Sequence, residues 1–161
     1  MGRQKSTEYC VERVIPFPAH LIWETLDDPR HFGERDPYHT DFEFMGEQRK
    51  GLGTIFRLKH SYWPIFWFAP DHVKCTIVKP YEPQKNLRLR EENEKTPWKS
   101  HVQEFVLTPA GPNCTLVRFA VSYRAIPLAL FPLRFWARWL AQKRMKDKLR
   151  EIEEACGRKS P

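Results

Sequence analysis

The stretch EYCVERVIPFPAHLIWETLDD, residues 8–28, contains a strand pattern followed at once by a helix pattern. Residues 8–15 alternate between polar and apolar side chains, which is typical of a half-buried strand, and two prolines follow them. Residues 18–28 begin with Pro18, which suits a helix start, and then place Leu, Ile and Trp side chains on one helical face. The fold therefore opens with a strand and a short helix. Residues 30–40 are predicted as a loop with room for one more helical turn.

Downstream of this stretch, polar and apolar residues alternate in several segments, and a helical pattern of apolar residues follows them. Six alternating segments are predicted as strands, near 41–46, 53–62, 72–79, 86–92, 101–108 and 114–124. A single long helical pattern covers 127–156, and Gly157 is a natural residue to end it. We therefore predict an α+β fold in which a curved antiparallel sheet of six to seven strands wraps around a long C-terminal helix. One or two short helices follow the first strand.

The length favours one domain, since 161 residues leave little room for a second. We predict a flexible N-terminus over 1–7, a single α+β domain over 8–156 and a tail over 157–161. Hydrophobic residues make up 41% of the chain and charged residues 29%, a composition that excludes wholesale disorder.

Charge and cysteine usage bear on partners and location. Lys and Arg outnumber Asp and Glu by 27 to 20, and this balance favours an anionic partner. The four cysteines form no CxxC pair, and the N-terminus has no apolar signal segment. Together these features predict reduced thiols and a cytoplasmic protein, with peripheral attachment to a membrane left open.

Motifs for cofactor, phosphate or metal chemistry are missing from the sequence. There is no HExxH, no GxSxG, no P-loop and no GxGxxG before a helix. The six histidines show no metal-ligand spacing with cysteine or carboxylate partners. We therefore expect no cofactor and no metal.

Packing motifs along the chain are similar to those of a known superfamily. Residues 14–28 (VIPFPAHLIWETLDD) resemble the opening of START-related, or SRPBCC, proteins, and 51–56, 73–80 and 107–117 match its continuation. The resemblance covers nearly the whole chain. It implies a helix-grip fold with a cavity for a hydrophobic ligand. The superfamily includes lipid-transfer START domains, pollen-allergen-like proteins and polyketide cyclase/dehydrase-like proteins, so the resemblance does not by itself imply catalysis.

Strand alternation selects the polar and aromatic side chains that share the apolar face of the sheet. On this basis, together with the stripe of the long helix, the candidate ligand-binding residues are Arg13, Phe56, Leu58, His60, Tyr62, Gln103, Phe105, Phe119, Tyr123, Phe135 and Trp139. Four of the polar side chains of this face could exchange protons with a ligand and are the candidate catalytic residues: His60, His101, Tyr62 and Tyr123. Leu87 and Leu89 lead on the same face to Glu91.

Two aromatic stretches exceed what a core requires. One is YWPIFWFAP at 62–70, and the other is at 125–140, where one helical stripe is predicted to run through Leu128, Phe131, Phe135, Trp139, Met145, Leu149 and Ile152 toward the sheet. The surplus apolar side chains are candidates for a gate or a membrane contact: Trp63, Phe66, Trp67, Phe68, Leu133, Trp136 and Leu140. Burial over the cavity, burial in a dimer and contact with a membrane all remain open.

Three functions follow from these features. The first is a non-enzymatic module that binds or transports a hydrophobic small molecule such as a lipid, isoprenoid or polyketide, with docking on a membrane surface left open. The alternative is an enzyme of the polyketide cyclase/dehydrase type that uses His and Tyr acid–base groups. The third is a protein-interaction module. The expected partner is the small-molecule ligand, with an anionic membrane surface or a second copy of the chain as further partners and nucleic acid disfavoured.

Overall fold

Seven strands and three helices make up the described part of the chain. The computed structural model describes residues 7–33, 39–60, 72–78, 80–93, 100–123 and 134–159. The strands are β1 Thr7–Ile15, β2 His39–Phe44, β3 Ile55–His60, β4 His72–Ile77, β5 Asn86–Asn93, β6 His101–Gly111 and β7 Cys114–Tyr123. The helices are α1 Ala19–Leu26, α2 Arg30–Gly33 and α3 Arg134–Gly157.

All seven strands form one antiparallel sheet. Its order is β1-β7-β6-β5-β4-β3-β2, so that consecutive strands are neighbours except that β1 lies beside β7. The sheet is curved, and α3 packs on its concave face chiefly against β1 and against α1. The predicted α+β helix-grip fold, with two short helices after the first strand, is confirmed.

Element boundaries differ from the predicted ones where pairing extends a strand. Strand β6 continues to Gly111 because its ladder with β7 runs from His101 opposite Tyr123 to Gly111 opposite Cys114. Only Pro112 and Asn113 are left for the turn, so a strand occupies positions that the sequence suggests are loop. At the other end of the chain, α3 includes Gly157 rather than stopping before it. The predicted first turns of this helix, 127–133, lie outside the described residues.

The core fills the space between the concave face and α3. The rings of Phe105 and Phe119 stack with centroids 4.2 Å apart, and α3 contributes Met145, Leu149 and Ile152 to the same cluster. Phe105 retains no exposed surface at all. A side chain that lines a ligand-sized cavity usually keeps some surface accessible to water, so the burial of Phe105 favours core packing over ligand contact.

The rotation of α3 differs from the predicted stripe. Trp139, which the stripe directs toward the sheet, has 59% of its surface exposed. The step from Trp139 to Met145 is six residues, which at about 100° per residue places the two side chains on different faces of the helix. Because Met145, Leu149 and Ile152 are buried, Trp139 points away from the core, and its assignment to the sheet-facing stripe and to the ligand-binding set was wrong.

One end of the sheet is closed by α1. The Thr115 hydroxyl donates to the Phe17 carbonyl at 2.9 Å, and the Cys156 thiol lies 3.7 Å from the Leu21 carbonyl and from the Thr25 hydroxyl. The first contact joins β7 to the segment before α1, and the two contacts of Cys156 fix the end of α3 to α1. We refer to this end of the sheet as the α1 end, and to the opposite end, where β3, β5 and β7 finish, as the far end.

The strand β2, which lies at one edge of the described sheet, pairs irregularly with β3. Its register with β3 shifts between Thr40 and Glu43, and Asp41 takes a left-handed backbone conformation with φ of 53°. The Asp41 carboxylate lies 3.5 Å from the Lys59 ammonium and 3.9 Å from the His72 imidazole. The feature is a β-bulge held by charged neighbours.

The C-terminal end of α1 is tied to the connection between β4 and β5. The Tyr81 hydroxyl donates to the Asp27 carboxylate, and the Tyr81 ring lies 5.3 Å from the ring of Trp23. Burial, followed by the hydrogen bond and the charge of Asp27, raises the pKa of Tyr81.

We expect Tyr81→Phe to lower the free energy of unfolding by about 1 kcal/mol at neutral pH, because it removes a hydrogen bond to a charged group at a partly exposed site. Since the folded pKa is raised, the contribution is complete below about pH 10, the usual tyrosine value, and is lost as the pH rises further. Urea unfolding of both proteins across this range measures the difference. If the difference in unfolding free energy between the two proteins stayed constant above about pH 10, the hydrogen bond from Tyr81 to Asp27 would not be the cause of that difference.

Candidate functional site

Polar side chains gather at the far end of the concave face. His60 ends β3, Glu91 lies near the end of β5, and His101 begins β6 with Gln103 two residues further on. Each shares a strand face with buried apolar residues, since side chains on one face recur every second residue. His39, at the start of β2, pairs with His60 in register. We call His60, Glu91, His101 and Gln103 the His–Glu cluster.

Glu91 is the centre of this cluster. The residue is only 2% exposed, and its Oε2 lies 3.4 Å from His60 Nε2 and 3.2 Å from His101 Nε2. Its second oxygen, Oε1, accepts a hydrogen bond from the Gln103 amide. One carboxylate therefore faces two imidazoles and one amide, while the imidazole side chains keep 13% and 11% of their surface exposed. Solvent and a ligand can reach the imidazoles more readily than the carboxylate.

The imidazoles decide the charge state of Glu91. Burial alone would raise the pKa of its carboxyl, but the charge of His101, the hydrogen bond and charge of His60, and the charge of His39 outweigh it. The net effect lowers the pKa of Glu91 to about 2. The carboxylate therefore stays ionised inside the protein, and an ionised oxygen favours an N–H on each ring nitrogen that faces it.

Two further residues, His39 and Cys75, lie beside the cluster. The rings of His39 and His60 stack with centroids 4.9 Å apart, which limits the rotation of the His60 imidazole. Cys75 lies beside Glu91 on β4, and its thiol is fully buried. Burial, and then the charge of Glu91, raises the pKa of that thiol, so it remains protonated.

The structure brings together three of the predicted site residues, His60, His101 and Gln103. The sequence pattern also placed Glu91 on this face, but not among the candidate site residues, and His39 was missed. The signal for Glu91 was present, because a charged residue continues the alternation of Leu87 and Leu89. Its partner His60 lies on a strand that is not adjacent to β5, a contact that strand alternation does not reveal.

The apolar candidates lie in the core. Phe56, Leu58, Phe105 and Phe119 are at most 4% exposed and belong to one packed cluster. Their role as ligand contacts stays a prediction.

Arg13 is not brought into the cluster. Arg13 pairs with Val117 on β7, and Val117 pairs in turn with Leu107 on β6. Leu107 is six residues from His101 along β6, so Arg13 lies about 20 Å from His101 along the strand direction. Its guanidinium is exposed and bound to Glu153 of α3 at 2.6 Å. Because β1 is an edge strand, the side chain reaches the helix rather than the interior, which corrects the prediction that it holds the same polar group as His60.

Most of the residues predicted to form the gate lie outside the described part of the chain. Tyr62, Trp63, Phe66, Trp67, Phe68 and Leu133 lie outside the described residues, as do the side chains of Tyr123, Phe135 and Trp136. Leu140 is described and is half-buried. The gate therefore stays a prediction.

A second concavity lies near the α1 end. This surface depression of about 390 Å³ is bordered by Asp28, Arg30, Phe44, Arg49 and Lys50. There the Arg30 guanidinium is bound by Asp28 at 2.9 Å, and Arg49 lies over the Phe44 ring. The depression lies toward the opposite end of the sheet from the His–Glu cluster. We place the site at the cluster, because a buried carboxyl group and two imidazoles meet there. Within the described ranges, no group of three His, Cys, Asp or Glu side chains is suited to hold a metal ion.

The sequence matches the family described as polyketide cyclase / dehydrase and lipid transport over residues 6–157. The chain belongs to this family. The match covers nearly all of its length and agrees with the SRPBCC resemblance. No protein of curated function matches the sequence.

Several solved structures share the fold of this chain. A protein from Thermus thermophilus is 19% identical with a TM-score of 0.73, covering 96% of this chain and 100% of that one. The Zhui aromatase/cyclase from Streptomyces sp. R1128 is 14% identical with a TM-score of 0.73, covering 96% and 95%. Truncated norcoclaurine synthase from Thalictrum flavum is 13% identical with a TM-score of 0.70, covering 96% and 95%. At these identities the likeness establishes the fold alone.

The helices in the described part of the chain are short or rich in charged residues. Among those that the structure describes, none combines the length and the apolar character needed to span a bilayer.

Proposed function

We propose that this family member binds a hydrophobic small molecule and that the His–Glu cluster holds the polar end of that molecule. The observation that carries the proposal is Glu91, a buried carboxyl group that faces two imidazoles. Removal of one member of a buried charged cluster is costly, but replacement of the whole cluster by apolar residues is often neutral or stabilising, because desolvation offsets most of the attraction. Stability of the core therefore gives little reason for such a cluster. The cluster therefore favours recognition of a ligand.

The chemistry of the cluster favours a particular kind of polar group. With Nε2 of each ring directed at Glu91, the second nitrogen, Nδ1, of a neutral imidazole is a hydrogen-bond acceptor. A hydroxyl of the ligand could donate to it, and a carbonyl could accept from an imidazolium. The apolar body of the ligand would lose water contact at roughly 25 cal/mol per Å².

The first test is mass spectrometry of the purified protein, under native conditions and after organic extraction. We expect a small molecule to accompany the wild type and to be lost from a His60→Ala/His101→Ala double variant. His72→Ala is the matched control, because His72 starts β4 at the same end of the sheet but contacts Asp41 at the bulge. Loss of the molecule from the control as well would contradict the assignment.

A protein that purifies empty can be titrated with para-nitrophenol, a flat aromatic ring with an acidic hydroxyl. Chemical-shift changes in the histidine resonances report where it binds. We expect them in the wild type and in the His72→Ala variant. Equal binding by the His60→Ala/His101→Ala variant, with its fold retained, would refute a role for the cluster.

A second candidate function is acid–base catalysis, favoured by the contact between Glu91 and His101. A carboxylate that holds the N–H of an imidazole leaves the other ring nitrogen as a base, the arrangement that activates many enzyme nucleophiles. Such a base could take a proton from the carbon next to a carbonyl, with the electron pair moving onto the carbonyl oxygen. Hydrogen–deuterium exchange of β-tetralone, followed by NMR, detects this step. Exchange that His101→Ala leaves unchanged would remove this candidate.

A further inference from the structure

Charge is concentrated in α3 and the residues just beyond it. Residues 134–159 contain nine of the chain's Lys and Arg residues and only four of its Asp and Glu residues. In the N-terminal part, residues 134–150, seven basic residues accompany a single acid, Asp147. Most of the net positive charge of the protein therefore lies along one part of one helix.

The exposed side of this helix combines the charge with an aromatic ring. Trp139, Lys143, Lys146 and Arg150 fall within about 60° of one another around the helix axis, on the side opposite the buried residues. Trp139 is 59% exposed, and the side chains of Lys143 and Arg150 are 54% and 61% exposed. Asp147 contacts both Lys143 and Arg150, so one carboxylate is shared between two cations. We call Trp139, Lys143, Lys146 and Arg150 the Trp139 face.

The Trp139 face lies toward the far end of the sheet. The C-terminal end of α3 is fixed to α1 by Cys156, and Trp139 precedes Cys156 by 17 residues, which is about 25 Å along a helix. The face therefore extends toward the end of the molecule where the His–Glu cluster lies.

We propose that the Trp139 face docks on a membrane of anionic phospholipid. An exposed tryptophan among basic side chains is suited to the boundary between acyl chains and acidic headgroups, since the indole ring is apolar but carries a polar N–H at its edge. The positive charge of the face is complementary to such a surface. Docking in this orientation would bring the far end of the sheet close to the phase in which hydrophobic molecules dissolve. This inference goes beyond the proposed function and does not depend on it.

Co-sedimentation with vesicles tests the proposal. The probes are vesicles of phosphatidylcholine alone and of phosphatidylcholine mixed with phosphatidylserine. We expect the wild type to bind the mixed vesicles, to release them at high salt, and to bind pure phosphatidylcholine weakly. Each basic residue at such a surface contributes about fivefold in affinity, so Lys143→Ala/Lys146→Ala/Arg150→Ala should bind about a hundredfold more weakly. Trp139→Ala should also weaken binding.

A control variant distinguishes docking through the Trp139 face from nonspecific attraction between a basic protein and anionic vesicles. Lys74→Ala/Lys85→Ala/Arg90→Ala removes the same charge from the sheet and from the β4–β5 connection, and we expect it to bind as the wild type does. Equal losses in both triple variants would overturn the proposal, as would equal binding to both kinds of vesicle. It would also be overturned if the wild type were a dimer that Trp139→Ala converts to a monomer. The α3 triple variant should still bind para-nitrophenol. A loss of vesicle binding in this variant can then be distinguished from a loss of the ligand site.

Discussion

At about pH 5 the Glu91→Gln variant should unfold with a free energy about 3 kcal/mol below that of the wild type. The pKa of Glu91 is lowered from 4.5 to about 2, so the native state holds this carboxylate ionised under conditions in which the unfolded chain protonates it. A depressed carboxyl pKa stabilises the protein above the unfolded value and ceases to do so as the pH falls through the folded value. The gap between the two proteins should therefore close between about pH 4.5 and about pH 2.

Urea unfolding curves across this range measure the gap. Glu92→Gln is the matched control, because Glu92 is the next residue on β5 and is exposed on the opposite face. We expect the control to follow the wild type at every pH. Parallel curves for the wild type and Glu91→Gln, with no closing of the gap, would show that the imidazoles do not stabilise the ionised carboxylate.

The Phe105→Ala variant should lose about 3–5 kcal/mol of unfolding free energy. Phe105 has no exposed surface and stacks on Phe119, so removal of the ring leaves a cavity that rigid neighbouring strands cannot fill. The midpoint of urea unfolding should move accordingly, while the slope of the transition stays the same.

Val106→Ala is the control for this substitution. Val106 is half-buried on the other face of β6, and we expect its truncation to cost far less. If Phe105→Ala were instead nearly as stable as the wild type and bound para-nitrophenol poorly, Phe105 would be a ligand contact, as the alternation alone suggests. The experiment thus decides between a packed core and a lined cavity at this position.

Strand alternation predicted much of the fold because it follows from local geometry. It placed Phe56, Phe105 and Phe119 on the concave face, and the structure confirms their burial. It also placed His60 and His101 on that face, at the ends of their strands. The pattern carries this information because any strand with one buried side must alternate, whatever its neighbours are.

The contacts of Glu91 could not be predicted in the same way. Alternation assigns a side chain to a face, whereas the approach of His60 to Glu91 depends on the curvature of the sheet across β4. The cost of burying a carboxylate suggests that a partner must exist, but not which residue provides it.

Helical periodicity failed at Trp139 for a different reason. The predicted stripe joined two well-spaced groups of apolar residues across a gap of six positions, and the groups do not share a face. Buried Lys148 adds to the difficulty, because its Nζ reaches the His31 carbonyl from a position that hydropathy alone would place in solvent.

The bulge in β2 bears on how the protein avoids aggregation. An open sheet has two edge strands, and each could recruit a strand from another molecule and polymerise. At one edge, the left-handed Asp41 breaks the regular spacing of hydrogen-bonding groups and carries a negative charge beside the strand. At the other edge, β1 presents Glu8, Glu12 and Arg13 to solvent. Both edges of the described sheet thus disfavour pairing with a strand of another molecule, which is the first step of aggregation through sheet edges.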